Sequence, residues 1–298
     1  MNNSNLISVV IPAYNHEQYV GAAINSVLRQ SYGNLELIIV DDGSTDGTPD
    51  VIGGFQDPRI RAVRQSNQDA YNAINNGMQM ARGSHIAILN SDDLYHPDRL
   101  ETLINICDQA DAACVFTQIR PIGADGHPLA EDHPWTAWHE DNRKYYFQCR
   151  DLYTAFLRAN LMVSTSNLFI NAELARQVGS FAPLRYLHDY DYIFRAMLAA
   201  PGRVLYLHDR TLMDYRLHGS NTISRGAVMA REEDQALILK YMLAGLPEAW
   251  RARAETAARR LLALERELQV ERYRLAHPWR WRLGRLASRL LEKLNNNG

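Results

Sequence analysis

Two adjacent carboxylates follow a short apolar run in the segment 85–98, HIAILNSDDLYHPD. The run 86–89 is typical of a buried strand, and it ends on the polar residues Asn90–Asp93. Like charges side by side repel each other and raise one of the two pKa values. A divalent cation removes this repulsion, and carboxylate oxygen suits Mg²⁺ and Mn²⁺. The other interpretation is a polar turn that caps a helix beginning near Pro97.

The elements that position these acids alternate between strand and helix patterns. Apolar runs typical of strands cover 6–15, 35–40, 59–65 and 85–90. Helical spacing covers 16–31, 48–55 and 70–83, and Gly83 is predicted to end the third helix. This alternation predicts right-handed crossovers and a mainly parallel sheet flanked by helices.

A polar cluster follows each of three predicted strands: PAYN (12–15), DDGSTDGT (41–48) and NSDD (90–93). Because ligands bind outside the carboxyl ends of such strands, we expect the clusters to converge on one edge. Neither G-x-G-x-x-G nor a P-loop motif occurs. The acidic second cluster suits the N–H of a base or sugar hydroxyls, and NSDD suits a cation. The predicted ligand is a metal-bound nucleoside diphosphate derivative.

Composition indicates a globular chain. Its 298 residues are 46% hydrophobic and 22% charged, which allows one large domain or two small ones. The three cysteines are irregularly spaced, which argues against a disulfide framework and a cysteine-ligated zinc. The first residues lack the pattern of a signal peptide, and no apolar run of about eighteen residues occurs. We therefore expect a cytoplasmic protein.

The net charge of −2 is unevenly distributed. Residues 272–298 contain seven basic residues and one acid, a charge of +6, so residues 1–271 carry −8. An acidic body does not favour nucleic-acid binding. The basic tail needs a separate explanation.

Three segments together resemble family 2 of the inverting glycosyltransferases, which have the GT-A fold. They are ISVVIPAYN (7–15), ELIIVDDGSTDGT (36–48) and ARGSHIAILNSDD (81–93), and the resemblance extends over residues 6–225. It implies a nucleotide-sugar donor, a Mg²⁺ or Mn²⁺ ion and sugar transfer with inversion. Two positions depart from the family pattern: Asn90 stands where Asp is frequent, and Ile74 where Arg is frequent.

The resemblance also implies roles for individual residues. Asp42 is expected to accept from a uracil-type N–H, and Asp41 to support its loop. Asp92 is expected to face the ribose or sugar, and Asp93 to hold the metal. The implied donor-binding residues are Pro12, Ala13, Tyr14, Asn15, Asp41, Asp42, Asn75, Ser91, Asp92 and Arg216.

A fourth segment, GSFAPLRYLHDYDYIFRA (179–196), resembles the part of the family that carries the general base. Asp189 falls at that position, and His188 replaces the usual Glu. Inversion in one step needs a carboxylate that takes the proton of the attacking hydroxyl. Acids also favour the first turn of a helix, and this interpretation is preferred for Asp191.

The segment DYRLHGSNTISR (214–225) resembles the family segment YR-x-H. The resemblance implies that His218 coordinates the metal or binds the diphosphate, and the other interpretation is a structural histidine. Arg216 is expected to pair with phosphate as a planar fork. A lid over the donor is predicted from Asn221, Ser224 and Arg225.

Aromatic residues concentrate in the aperiodic segment 121–150. Their rings either stack on acceptor sugars or pack against the domain, and packing is slightly favoured. The residues are Trp135, Trp138, Tyr145 and Tyr146.

From Met229 onward the pattern is helical and suggests a long helix or a short coiled coil. In 278–294, five leucines form one face, and Arg282, Arg285, Arg289 and Lys293 form the other. This pattern fits a helix in the headgroup plane of an anionic membrane. The other interpretation is docking onto a partner subunit, which would make the chain a homo-oligomer.

These observations predict a GT-A fold with a nucleotide-sugar-binding half (1–100), an acceptor-binding half (101–228) and a helical C-terminal extension (229–298). The predicted activity is metal-dependent, inverting sugar transfer to a glycan or lipid-linked glycan in surface polysaccharide assembly. The predicted location is the cytoplasm, with the inner face of the cell membrane as the site of any attachment. Two rival functions are a sugar-phosphate nucleotidyltransferase and a non-catalytic sugar-nucleotide binder.

Overall fold

The computed structural model describes residues 5–219 and 227–244, together with single residues and pairs between 248 and 275. The chain divides into two compact units, Met1–Leu237 and Ile238–Gly298. Among the described residues, no helix has the length and apolar character that a bilayer crossing requires. The predicted lid (Asn221, Ser224, Arg225) and the tail 278–294 lie outside the described residues.

In this part of the chain, eight strands form one sheet in the order β3-β2-β1-β4-β7-β6-β8-β5. The strands are β1 (Ile7–Ala13), β2 (Leu35–Asp41), β3 (Ile60–Arg64), β4 (His85–Ile88), β5 (Leu94–Tyr95), β6 (Cys114–Ile122), β7 (Phe169–Asn171) and β8 (Val204–Arg216). The helices are α1 (Val20–Leu28), α2 (Thr48–Gly53), α3 (Ala70–Met80), α4 (Arg99–Ala110), α5 (Pro134–Cys149), α6 (Leu152–Arg158), α7 (Ala172–Val178), α8 (His188–Ala199) and α9 (Ala227–Ala244).

The sheet is mixed, with its parallel part where the sequence predicts it. Strands β3, β2, β1 and β4 are parallel neighbours, as are β6 and β8. The short strand β7 runs antiparallel to both β4 and β6, and β5 runs antiparallel to β8. The predicted α/β fold class with a mainly parallel sheet is therefore confirmed, and β7 joins the two parallel parts.

Continuous apolar runs form the centre of the sheet because helices cover both of its faces. Every residue of β1 and of β2 is buried. The amphipathic helix α1 buries Val20, Ala23, Ile24 and Val27 against them. This pattern is typical of parallel strands buried on two faces.

All three helices are shorter than predicted, and contacts explain two of the differences. Helix α1 begins at Val20, since the preceding residues bind the loop after β2: the His16 N–H donates to Thr48 Oγ1 at 2.8 Å. Helix α3 ends at Met80, and Gly83 does not cap it. Instead, the Gly83 N–H donates to Ser8 Oγ at 2.9 Å, and a Cβ at Gly83 would lie 2.6 Å from the Leu6 carbonyl oxygen.

Helix α3 packs so closely on β1 that a Cβ on Gly77 would overlap Val10 Cγ1. We expect Gly77→Ala to destabilise the fold, because overpacking costs about 1–3 kcal/mol and the gain in helix propensity is at most about 1 kcal/mol. Urea unfolding measures the change. Gly53→Ala is the control, since nothing lies within 4 Å of its added Cβ, and it should leave stability equal or higher. Equal stability of wild type and Gly77→Ala would contradict the packing argument.

Candidate active site

The carboxyl ends of β1, β2 and β4 open into a cavity of about 460 Å³. The loop before α8 and the segment 163–165 also line this cavity. Seven predicted site residues line this cavity: Pro12, Ala13, Tyr14, Asp42, Ser91, Asp92 and Asp189. The three polar clusters therefore converge on one edge of the sheet, as predicted.

The segment after β3 holds the Asp42 carboxylate in a fixed orientation. Asp42 Oδ1 accepts from Gln65 Nε2 at 2.8 Å and from the Gln68 N–H at 2.9 Å. Burial raises the pKa of the Asp42 carboxyl. The preceding residue, Asp41, accepts from the Ser44 N–H at 3.0 Å and lies 3.2 Å from Arg64 Nε. Asp41 thus binds its own loop, while Asp42 faces the cavity.

Asn15 lies beside the cavity and braces two loops. It has a φ of 51°. Its N–H donates to Ser44 Oγ at 3.0 Å, and its side-chain oxygen accepts from the Thr45 N–H at 2.8 Å. These contacts connect the end of β1 to the loop after β2, so the side chain of Asn15 is occupied within the protein.

Asp93 turns away from the cavity into the protein and is 1% exposed. Its carboxylate accepts from Ser166 Oγ at 2.5 Å, Ser164 Oγ at 3.2 Å and the Arg216 N–H at 2.8 Å. Burial, and then the charge of Asp92, hold the pKa of Asp93 well above its usual range. These contacts leave Asp93 as a support of the turn, so its predicted place at the metal is corrected.

The neighbouring carboxylate, Asp92, lies where a cation can be bound. One ligand atom from each of His16, Asp92 and His218 lies within 4.8 Å of the others. His218 Nε2 is 3.0 Å from Asp92 Oδ2, and Ser91 Oγ is 2.7 Å from His16 Nδ1. This geometry could hold a cation, so the metal role of His218 stays a prediction, and Asp92 is the carboxylate that lies beside it.

A metal ligand set needs neutral imidazole and ionised carboxylate, and the pKa values of His16 and Asp92 are both shifted in that direction. Burial lowers the pKa of His16. Burial opposes ionisation of Asp92, but a hydrogen bond from His218 and the charges of His16 and His218 outweigh it, so the pKa of Asp92 is lowered. Two nitrogens and one oxygen suit Mn²⁺ better than Mg²⁺, which prefers oxygen ligands.

Asp189 reaches the cavity from the first turn of α8. It is buried, and Asn160 Nδ2 donates to its Oδ2 at 3.1 Å. Burial raises the pKa of Asp189. The next acid on this helix, Asp191, pairs with Arg195 at 2.7 Å and lies outside the cavity lining. The two acids thus separate into one that faces the cavity and one that is held by its own helix.

The guanidinium of Arg216 is not directed at the cavity. It is buried and donates to the backbone carbonyls of Asp92, Gly123 and Ala124 at 2.8–3.2 Å. The predicted contact between the Arg216 guanidinium and a phosphate is therefore corrected. The guanidinium instead binds the turn that carries Asp92.

Asn75 also lies apart from the cavity. Its amide forms a reciprocal pair with the backbone of Phe181, at 2.7 and 3.0 Å. Asn75 therefore attaches α3 to the segment before α8 and does not join the donor-site residues, which corrects its predicted place.

Sequence reasoning missed His16 and the two serines that bind Asp93. His16 directly follows the PAYN cluster, which is a usable signal. Ser164 and Ser166 lie more than 70 residues from Asp93, and no local pattern identifies them. Their turn is held by the buried Arg99, which donates to Asn167 and to Thr117 Oγ1.

The four aromatic residues of the segment 121–150 lie on helix α5. Trp135 stacks on Tyr215, which lines the cavity, with ring centroids 5.4 Å apart. Trp138 lies 5.9 Å from Trp135 and is 46% exposed. Trp135 also packs against the hydrophobic core. Part of the segment is therefore packed, as favoured, and Trp138 remains accessible.

The class of protein is defined by comparison with known families. The model of glycosyl transferase family 2 matches residues 8–166. An uncharacterized glycosyltransferase of Rickettsia typhi is 30% identical over 237 residues, which cover 78% of this chain and 70% of that protein. The chain belongs to glycosyl transferase family 2.

Other similarities are more distant. Chondroitin synthase of Escherichia coli is 28% identical over 194 residues, 63% of this chain and 28% of that protein. S. aureus TarS 1-349 in complex with UDP-GlcNAc has a TM-score of 0.61 and 19% identity, covering 83% of this chain and 70% of the other. Mannosyltransferase PcManGT of Pyrobaculum calidifontis, with GDP-Man and Mn²⁺, has a TM-score of 0.60 and 17% identity, covering 85% and 68%. The two structures share the GT-A fold with this chain.

Proposed function

We propose that this glycosyltransferase is metal-dependent and inverting, and that it uses a nucleotide-sugar donor, a UDP-sugar by default. The observation that carries the proposal is that Asp92 and Asp189 line the same cavity. Asp92 belongs to a group able to hold a cation, and Asp189 is a buried carboxylate outside that group. Single displacement with a charged leaving group requires these two functions.

Asp189 is proposed to accept the proton of the acceptor hydroxyl as that oxygen attacks the sugar. The hydrogen bond from Asn160 orients one carboxylate oxygen, and burial makes the carboxylate more basic by raising its pKa. A buried base also excludes water that would compete with the acceptor.

Donor binding is assigned to the residues that follow β1, β2 and β4 and to His218. Asp42 is proposed to accept from an N–H of the base, because Gln65 and the Gln68 backbone hold its oxygen in place. His16, Asp92 and His218 are proposed to hold Mn²⁺, with Mg²⁺ as the weaker alternative. The bound ion would neutralise charge that grows on the leaving nucleoside diphosphate.

The proposed acceptor is a glycan or lipid-linked glycan in surface polysaccharide assembly. The similarity to a chondroitin synthase supports a polysaccharide product. The exposed ring of Trp138, which reaches Tyr215 through Trp135, offers a face on which an acceptor sugar can stack.

Release of nucleoside diphosphate tests the proposal. The enzyme is incubated with UDP-, dTDP- and GDP-sugars, each with Mn²⁺, Mg²⁺ or excess EDTA, and a thermal shift is recorded for every mixture. Binding to the native state raises Tm. We expect release and a thermal shift with one nucleotide class, with Mn²⁺ above Mg²⁺ and no release in EDTA. Full turnover in EDTA would contradict metal dependence, and a shift without release would indicate a non-catalytic binder.

We also propose that the basic tail attaches the enzyme to the inner face of an anionic membrane. Residues 272–298 carry +6, and each basic group near an anionic surface contributes about 1 kcal/mol. Removal of residues 277–298 should therefore lower co-sedimentation with anionic vesicles at low salt and leave donor turnover unchanged. Equal sedimentation of both forms would contradict attachment. Aggregation of the truncated form would instead favour docking of the tail on a partner subunit.

A further inference from the structure

The ring of Tyr19 contacts three side chains around the candidate cation group. Its centroid lies 5.0 Å from the ring centroid of His218 and 5.9 Å from that of His16. The guanidinium carbon of Arg216 lies 5.0 Å from the same centroid, which is a cation–π contact. These are the distances at which aromatic rings attract each other. Tyr19 is therefore in contact with both histidines of the group.

The two histidines come from distant parts of the chain. The His16 carbonyl oxygen accepts from the N–H groups of Tyr19 and Val20, both at 2.9 Å, so the turn that leads into α1 fixes Tyr19 relative to His16. His218 instead follows the last strand of the sheet, β8. The two imidazoles are 5.6 Å apart and nearly perpendicular. This arrangement depends on tertiary contacts, and Tyr19, which is attached to one histidine and packs on the other, supplies one.

The contact with Tyr19 is compatible with a bound ion, whereas the hydrogen bond between His218 and Asp92 is not. His218 Nε2 lies 3.0 Å from Asp92 Oδ2, and a cation bound by these two atoms would replace the hydrogen bond between them. The planes of the Tyr19 and His218 rings differ by 33°, so the rings are closer to parallel than to perpendicular. Since the nitrogen lone pairs lie in the plane of the imidazole, this packing leaves them available to an ion.

We propose that Tyr19 is a positioning residue of the cation site, whose ring holds the imidazoles of His16 and His218 where both can bind Mn²⁺. This inference rests on the proposed function, which assigns the ion to His16, Asp92 and His218. Imidazole nitrogen suits Mn²⁺ better than Mg²⁺. Tyr19 therefore contributes to the preference between the two ions as well as to affinity, without contacting the ion itself.

Electron paramagnetic resonance of Mn²⁺ added to the full chain tests this role without turnover. We expect Tyr19→Leu to weaken Mn²⁺ binding about ten- to hundredfold, which is the usual cost of losing a group that orients a ligand. Competition with Mg²⁺ should show a smaller preference for Mn²⁺ in this variant. Tyr19→Phe keeps the ring and should bind both ions as the wild type does.

Pulsed measurements at saturating Mn²⁺ detect nitrogen bound to the ion, a readout that a general loss of stability does not change. Wild type and Tyr19→Phe should show couplings to two imidazoles, and Tyr19→Leu should lose at least one of them. Tyr19→Met is the second variant without a ring, because its flexible apolar side chain adapts to irregular space and favours a folded protein. It should behave as Tyr19→Leu does.

Tyr153→Leu is the matched control. Tyr153 is also half-buried, and its ring packs on Phe194 at 5.2 Å, but it lies on α6 and outside the candidate cation group. Its substitution should lower Tm and leave Mn²⁺ affinity unchanged. Wild-type affinity and nitrogen couplings in Tyr19→Leu or Tyr19→Met would overturn the inference, as would an equal loss in Tyr19→Phe. Failure of the wild type to bind Mn²⁺ would instead count against the proposed cation site itself.

Discussion

Replacement of Asp189 by Asn should lower sugar transfer about a hundred- to ten-thousandfold, the usual contribution of a general base. Donor affinity should stay close to that of the wild type, because Asp189 belongs neither to the proposed cation group nor to the proposed nucleobase contact at Asp42. Single-turnover transfer and donor calorimetry measure the two quantities separately. A product with the anomeric configuration of the donor would contradict the inverting mechanism.

The pH dependence of transfer provides a second measurement on the same residue. A base must be ionised to act, and burial raises the pKa of Asp189 above that of an ordinary aspartate. Transfer should therefore decline on acidification at a higher pH than an exposed aspartate would dictate. Since a raised folded-state pKa favours the neutral form, the folded protein gains stability as pH falls through that pKa. Asp189→Asn should accordingly be no less stable than wild type at neutral pH.

Asp191→Asn is the contrasting variant on the same helix. It breaks the ion pair with Arg195 and should lower Tm while the rate per folded molecule is kept. A near-native rate in Asp189→Asn combined with a large loss in Asp191→Asn would move the proposed base by two residues.

The first half of the fold was predictable because its strands and helices follow from patterns of residues that are adjacent in sequence. β1 and β2 are continuous apolar runs, and each ends in a polar cluster at the same edge of a parallel sheet. Convergence of these clusters follows from strand direction alone. The second half was less predictable: β7 has only three residues, and its antiparallel pairing with β4 and β6 depends on contacts distant in sequence.

The site shows the same division between local and distant causes. The sequence placed two acids after β4, but it did not show which of them faces the cavity. That choice depends on Ser164 and Ser166, which bind Asp93 and turn it inward. Likewise, a phosphate contact for Arg216 was a reasonable expectation for an arginine beside a histidine motif. Only the fold reveals three carbonyls already in contact with its guanidinium.

The different surroundings of Asp92 and Asp93 predict a large effect of substitution at Asp92 on Mn²⁺ binding. Asp92→Asn should weaken Mn²⁺ binding more than about a hundredfold, because loss of groups that merely support a ligand already costs about ten- to hundredfold. Transfer should fall with it, since the leaving diphosphate would lose its counter-charge. Titration of Mn²⁺ followed by electron paramagnetic resonance measures binding without any turnover.

Asp93→Asn is the matched control, one residue away and identical in chemistry. The amide oxygen can still accept from the Arg216 N–H, and the NH₂ group can donate to the hydroxyl oxygens of Ser164 and Ser166. Because these contacts are kept, Asp93→Asn should leave Mn²⁺ affinity intact. Replacement of a buried carboxyl should nevertheless change Tm. The reverse result, with Mn²⁺ binding lost in Asp93→Asn and kept in Asp92→Asn, would return the metal to Asp93. Both variants replace one carboxyl by an amide in the same turn, so a difference of this size in Mn²⁺ affinity reports which of the two side chains contacts the ion.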